Sequence, residues 1–127
     1  VIVLPHPPAS LSANARCHWS VKARDTKAVR EYAGWQARLA MQHDGITEPW
    51  PAAQLHIWWQ FAGKQPDDES VIARCKPARD ALVDAGLLTD DRYVRQASVT
   101  LERVPRKEQG VVITVTRADT PAERDEE

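Results

Sequence analysis

The sequence predicts an α+β domain: a small, mostly antiparallel mixed sheet carrying two main helices. Three patterns carry that prediction. Residues 53–62 alternate apolar and polar side chains, as a half-buried strand does. Two longer stretches, 25–42 and 70–85, repeat their apolar residues at helical spacing. Two further strand-like runs follow the second helical stretch. With 127 residues, 43% hydrophobic and 28% charged, one domain with one core is the expectation.

The elements follow in order. Residues 1–4 are a short apolar run stopped by Pro5, read as a strand. Residues 5–24, rich in Pro, Ser and Ala, read as a long loop of the kind that is functional or disordered. Asp25 or Thr26 is the expected cap of the first helix, which runs to about Gln42 with Gly45 beyond its end. Val29, Tyr32, Ala33, Leu39 and Ala40 supply its apolar stripe. In strand 53–62, Leu55, Ile57, Trp59 and Phe61 face one side, and His56, Trp58 and Gln60 the other. The second helix carries Ile72, Cys75, Ala78, Leu82 and Ala85, with Gly86 as its stop. Pro77 removes a backbone donor and disfavours helix at Lys76, so that helix either kinks at Pro77 or begins there. Residues 93–104 and 110–117 read as strands joined by 105–109, in an order that suggests an antiparallel hairpin.

Charge is distributed unevenly. Residues 118–127, ADTPAERDEE, hold five acids against one Arg, so this tail carries −4 while residues 1–117 carry +3 of the formal −1. The domain is therefore assigned to 1–117, and the tail is expected to be disordered. A body this mildly basic does not by itself demand a nucleic-acid partner. No apolar run approaches the roughly 20 residues that span a bilayer. The opening VIVLP lacks the basic leader of a signal peptide, so a cytoplasmic protein is expected, although the initial residues of the natural chain are missing if it starts with Met. Cys17 and Cys75 are the two cysteines; with His6, His18, His43 and His56 they give no zinc spacing. One disulfide or two free thiols both fit the count, and a reducing cytoplasm favours the thiols.

Two acidic groups flank the second helix: Asp67, Asp68 and Glu69 at its entrance, Asp90 and Asp91 after its exit. Hard oxygen ligands hold Mg²⁺, which keeps several waters and contacts phosphate directly. Such an ion activates water and neutralises developing charge in phosphodiester hydrolysis, and Lys76 would stabilise charge on the phosphate. A helix of about 15 residues is about 22 Å long, so the groups meet only through a fold-back of the chain, a kink at Pro77, or a second subunit. The plainer reading is that the first group favours a helix N-terminus and the second makes a turn.

The segment PDDESVIARCKPARDALVDAGLLTDD resembles the core motif of the RusA-type Holliday-junction resolvases: acid-x-acid-Asn-Leu, a lysine, Asp-Ala-Leu, Ala-Gly and a closing Asp-Asp. Asp67 and Glu69 match the paired acids, Lys76 the lysine, and Asp80-Ala81-Leu82, Ala85-Gly86 and Asp90-Asp91 the remainder. The stretch LPHPPASLSANARCHWSVKARDTK resembles the family's opening through Leu4, Pro7, Pro8, Asn14, Arg16, His18 and Trp19. The similarity covers nearly the whole chain up to the tail. It implies a homodimeric α+β nuclease that nicks paired strands at four-way DNA junctions with Mg²⁺ or Mn²⁺, usually in phage or prophage. By carry-over, Asp67, Glu69 and Asp91 are ligand candidates with Asp90 beside them, and Lys76 is the phosphate-binding lysine; together Asp67, Glu69, Lys76 and Asp91 form the expected catalytic set. Glu69 is one methylene longer than the usual Asp, and Ser70 stands in place of Asn. A non-cleaving junction-binding protein of the same fold is therefore the alternative. A protein that binds no nucleic acid is a third reading, favoured by the near-neutral net charge.

Arg16, Lys22, Arg24, Lys27 and Arg30 cluster within fifteen residues, interleaved with His18 and Trp19. With Lys76, the residues Arg16, His18, Lys22, Arg24 and Lys27 are the expected DNA contacts, reading backbone shape in a salt-sensitive way. A solvated helix face is the plain alternative. Trp58 and Trp59 point to opposite faces of one strand, so one is expected in the core and the other is a candidate for a dimer interface.

Overall fold

The computed structural model describes residues 1–12 and 16–118. Asn14 and the acidic tail from Asp119 onward lie outside the described residues. The elements are β1 (Ile2–Leu4), α1 (Trp19–Asp44), β2 (Ala52–Phe61), α2 (Asp68–Asp84), β3 (Val94–Arg103) and β4 (Gly110–Ala118), with short 3-10 turns at Ala9–Leu11, Asp91–Tyr93 and Arg106–Glu108. This is the expected α+β architecture with two main helices on one mixed sheet.

The strand order is β1-β4-β2-β3. β4 runs antiparallel to both β1 and β2, while β2 and β3 are parallel with α2 between them. The expected β3–β4 hairpin is thus corrected, because β2 lies between the two strands. The reason is burial. β2 hides Ala52, Ala53, Leu55, Ile57, Trp59 and Phe61, whereas Val94 is the one residue of β3 that is fully covered. A strand that apolar belongs where both ladders shield it, and a mostly polar strand belongs at an edge. The alternation read in β2 is observed, with Leu55, Ile57, Trp59 and Phe61 inward and Trp58 exposed.

α1 starts six residues before Asp25. His18 caps it, its Nδ1 accepting the Ser20 N–H at 3.1 Å. Histidine is not among the favoured caps, so the start was hidden in what read as loop. Gly45 closes the helix at φ 71°, a conformation that glycine adopts without strain. The buried face of α1 is Ala33, Gly34 and Ala37; Tyr32 and Leu39, expected in the apolar stripe, are 45% and 46% exposed. Small residues there let α1 approach α2, where Gly34 lies beside Ala81. α2 passes through Pro77 as one helix and buries Val71, Cys75, Ala78, Ala81 and Leu82 against the sheet and α1.

The two helices are also joined by charge. Arg30 donates from Nε and Nη2 to the two Asp84 oxygens at 2.5 and 2.9 Å. This hydrogen bond holds the Asp84 carboxyl below its usual range. A carboxylate lowered in the folded state stabilises the fold above its unfolded pKa of about 3.9, and that contribution is lost as pH falls through the lowered folded value. Both side chains are about two-fifths exposed, so Asp84→Asn is expected to cost less than about 1 kcal/mol at pH 7. Urea unfolding at pH 7 and near pH 2 checks this; the difference between wild type and variant should vanish in acid.

Cys17 is exposed, Cys75 is buried, and both are free thiols. Burial pushes the Cys75 thiol up to about 12, which leaves almost no thiolate at neutral pH. A thiol reagent should therefore add one label per native chain and a second only after denaturation, as read by mass spectrometry.

Candidate functional site

The N-terminal segment is tied to both helices. Ser10 donates to Asp25 at 2.6 Å, Ser12 meets the Ser70 hydroxyl at 3.3 Å, and Arg74 donates from Nε and Nη2 to the Pro7 carbonyl. The two sequence motifs, separate in the chain, therefore pack together at the head of α2. Asp67 caps that helix, its Oδ1 accepting the Ser70 N–H at 2.8 Å. Asp68 and Glu69 follow in the first turn, both exposed. Their placement at a positive helix end is favourable in itself.

After α2 the chain folds back along the helix. Arg79 reaches the carbonyls of Asp91 at 3.4 Å and Val94 at 3.1 Å, which puts the Asp91–Tyr93 turn beside the C-terminal half of α2. An open cleft of about 380 Å³ results, lined by Arg30, Asp80, Val83, Thr89, Asp90 and Asp91. Lys76 donates to both Asp80 oxygens at 3.2 Å across one helical turn. Asp90 accepts the Arg92 N–H at 3.0 Å; that bond above all, opposed by desolvation and helped by the Asp91 side chain and the Arg92 charge, holds its carboxyl below the usual range.

The fold-back brings Asp90 and Asp91 to Asp80 and the neighbourhood of Lys76. It does not bring them to Asp67 and Glu69, because about 20 Å of helix separates Asp67 from Asp80. The four expected ligands therefore form two groups rather than one. Among the described residues, no three His, Cys, Asp or Glu side chains converge tightly enough to cage a metal ion. The Asp80–Asp90–Asp91 cleft instead suits a hydrated Mg²⁺, which takes one or two carboxylates and fills its remaining positions with water and phosphate oxygens. Asp80, which lines this cleft, was not among the expected site residues, although its i,i+4 spacing from Lys76 was readable. Its approach to Asp91 depends on the fold-back, which no local pattern encodes.

On the other side of Arg30, a second groove of about 300 Å³ is lined by Lys27, Arg30, Glu31, Gly34, Arg38 and Asp84. Lys27, Arg30 and Arg38 thus share this groove with Glu31 and Asp84, beside the acidic cleft. Lys22 is turned about 140° from Lys27 on the helix, so the expected basic cluster is spread around α1 rather than aligned. Arg16, His18, Lys22, Arg24 and Lys27 are all exposed or nearly so, and Arg24 pairs with Asp25 at 3.3 Å. Trp19 is 75% exposed and lies 5.5 Å from the His18 ring. His56 is a strand-surface residue bonded to Ser98 at 2.9 Å.

No family model matches the sequence. An uncharacterized protein of Xylella fastidiosa (strain Temecula1 / ATCC 700964) is 36% identical over 118 residues, covering 91% of this chain and 74% of that protein. The chain belongs to that protein's family. The alignment is long enough to take in most of the domain, so the Xylella fastidiosa relative and this chain share more than one local motif. No helix among the described residues is long and apolar enough to cross a membrane.

Proposed function

We propose that this protein is a metal-dependent, structure-selective endonuclease of the RusA type, resolving four-way DNA junctions by paired phosphodiester hydrolysis in the cytoplasm. The observation that carries the reading is the cleft in which Asp80, from α2, faces Asp90 and Asp91, from the following turn, beside Lys76 and Arg30. Asp91, with Asp90 or Asp80 as a second carboxylate, would hold a hydrated Mg²⁺, with Mn²⁺ as substitute. Bound there, the ion would supply Lewis acidity toward a phosphate oxygen and an activated water. Lys76 and Arg30 would bind the phosphate and offset its charge, Lys76 by leaving Asp80 and Arg30 by leaving or sharing Asp84. Lys27 and the exposed cations at the head of α1 would track the flanking strands. Asp67 and Glu69 form a separate acidic group that a partner subunit would have to approach to complete a larger site.

The second reading is a junction-binding protein that does not cleave. It is favoured by Asp67 and Asp90 each committing a carboxylate oxygen to a cap. The test is cleavage of a labelled synthetic four-way junction by the full chain with Mg²⁺, with Mn²⁺ and with EDTA. Paired metal-dependent nicks support the nuclease, and tight binding without nicks supports the second reading. Neither binding nor nicking rejects both.

A homodimer fits the outer face of α1, where Tyr32, Trp35 and Leu39 are each about half exposed and lie opposite the core-facing residues. This apolar stripe continues into a groove formed by residues 4–8 with Ala28, Val29 and Tyr32. If this is the interface, Trp35→Glu converts a dimer into a folded monomer in analytical ultracentrifugation. An unchanged dimer places the interface elsewhere.

A further inference from the structure

We propose that Arg79 is a positioning residue that fixes the Asp90–Asp91 turn opposite Asp80. The inference rests on the reading of that cleft as the metal site. Arg79 and Asp80 are successive residues of α2, so their side chains leave the helix about 100° apart. Asp80 faces the cleft, while the Arg79 guanidinium runs beneath the turn that forms the opposite wall. Its Nη2 donates to the carbonyls of Asp91 and Val94, the first residue of the 3-10 turn and the residue just after it. One nitrogen thereby brackets the whole turn and fastens both of its ends to α2.

The rest of the side chain shows that packing alone does not select arginine here. Nε is buried and meets no hydrogen-bond acceptor among the described residues. The Arg79 side chain lines a small cavity of about 80 Å³ whose walls include Ile72, Cys75 and Gln96. Burying such a donor carries a desolvation cost that a methionine of similar length would avoid. The two carbonyl bonds are what distinguish arginine at this position, and both end on the turn that carries the carboxylates. A lysine would end in a compact ammonium on a flexible stem in place of a guanidinium nitrogen held in a rigid plane, and would hold the two ends of the turn less firmly. Groups that orient ligands from behind in this way typically change metal affinity or activity by 10–100-fold when removed.

The test compares full-length wild type, Arg79→Lys and Arg79→Met by two readouts besides activity. Water-proton relaxation enhancement measures Mn²⁺ binding, and hydrogen exchange measures the Arg92 and Tyr93 amides, which bond to Asp90. In Arg79→Met, Mn²⁺ binding should weaken about 10–100-fold and both amides should exchange faster, while the β2 amides keep their protection. Arg79→Lys should fall between. In junction cleavage, kcat should fall with KM unchanged. Faster exchange with wild-type Mn²⁺ affinity would reduce Arg79 to a structural residue and overturn the proposal, as would unchanged exchange. Wild type that binds no Mn²⁺ would overturn the cleft reading, and the positioning role for a metal with it, whatever the exchange shows. Wild-type Mn²⁺ binding lost in Asp91→Asn but intact in Arg79→Met would leave the cleft reading standing and remove the role of Arg79 alone.

Discussion

Replacing Asp91 with Asn is expected to lower metal-dependent nicking of a four-way junction by on the order of 10³-fold, about 4 kcal/mol of transition-state stabilisation. Junction binding should stay within about twofold, because the exposed cations of α1 are untouched. Asp91 is exposed, so the substitution should leave the unfolding midpoint nearly unchanged and the lost activity cannot be charged to unfolding. Asp80→Asn should lower nicking less, by about 10- to 100-fold, since Asp80 also holds Lys76. Asp67→Asn is an informative companion, because Asn caps a helix about as well as Asp and the change removes charge without removing the cap. Full activity in Asp91→Asn would reject this cleft as the reaction site. Loss in Asp67→Asn as severe as in Asp91→Asn would mean that the two acidic groups act together, which in this fold requires a second subunit. Single-turnover cleavage of the labelled junction reads all three variants.

Trp59→Ala is expected to destabilise the fold by about 3–5 kcal/mol, measured as a lower urea midpoint. Trp59 is 1% exposed in the central strand. His6 stacks on it at 4.5 Å, and the Arg74 guanidinium lies 5.0 Å over its ring. These two neighbours also help to hold the N-terminal segment: His6 bonds to the Gln60 carbonyl at 2.6 Å and Arg74 to that of Pro7. Removing the indole therefore opens a cavity and loosens the segment that packs on α2. A cost under about 1 kcal/mol would show that this stack is not part of the core. Trp58→Ala, on the opposite face and bonded to Glu102 at 2.9 Å, should cost far less in the same measurement.

The sheet's inner face was legible because strand periodicity is local: each of Leu55, Ile57, Trp59 and Phe61 shows its side of β2 within ten residues. The sheet's order was not. Whether β4 pairs with β3 or with β2 depends on competition for the most apolar neighbour, and β2 wins by burying both its ladders. The start of α1 was hidden because an atypical cap, His18, stands where Ser or Asp would have announced a helix. The second helix was read nearly to its true ends, and its packing against the sheet and α1 carries it unbroken through Pro77. The candidate site divides in the same way. Asp67, Glu69, Lys76, Asp90 and Asp91 were visible as residues and spacings. Their division into a helix-capping group and a cleft group is set by the return path of the chain after Gly86, together with Arg79, whose contacts are with backbone carbonyls and leave no trace in a motif.

A last consequence concerns the outer side of β1. The Gln36 side chain accepts the Val3 N–H at 2.9 Å and donates to the Val3 carbonyl at 2.6 Å. A carboxamide is a peptide group in miniature, so this glutamine satisfies both backbone groups that Val3 turns away from β4. The hydrophobic border of the sheet is thereby sealed by a single residue of α1, against stray extended peptides and against fibril-like stacking of copies. The opposite border is β3, where Arg95, Glu102 and Arg103 are exposed and charge does the same work. Two neighbouring molecules can thus share side chains across a surface without their sheets merging.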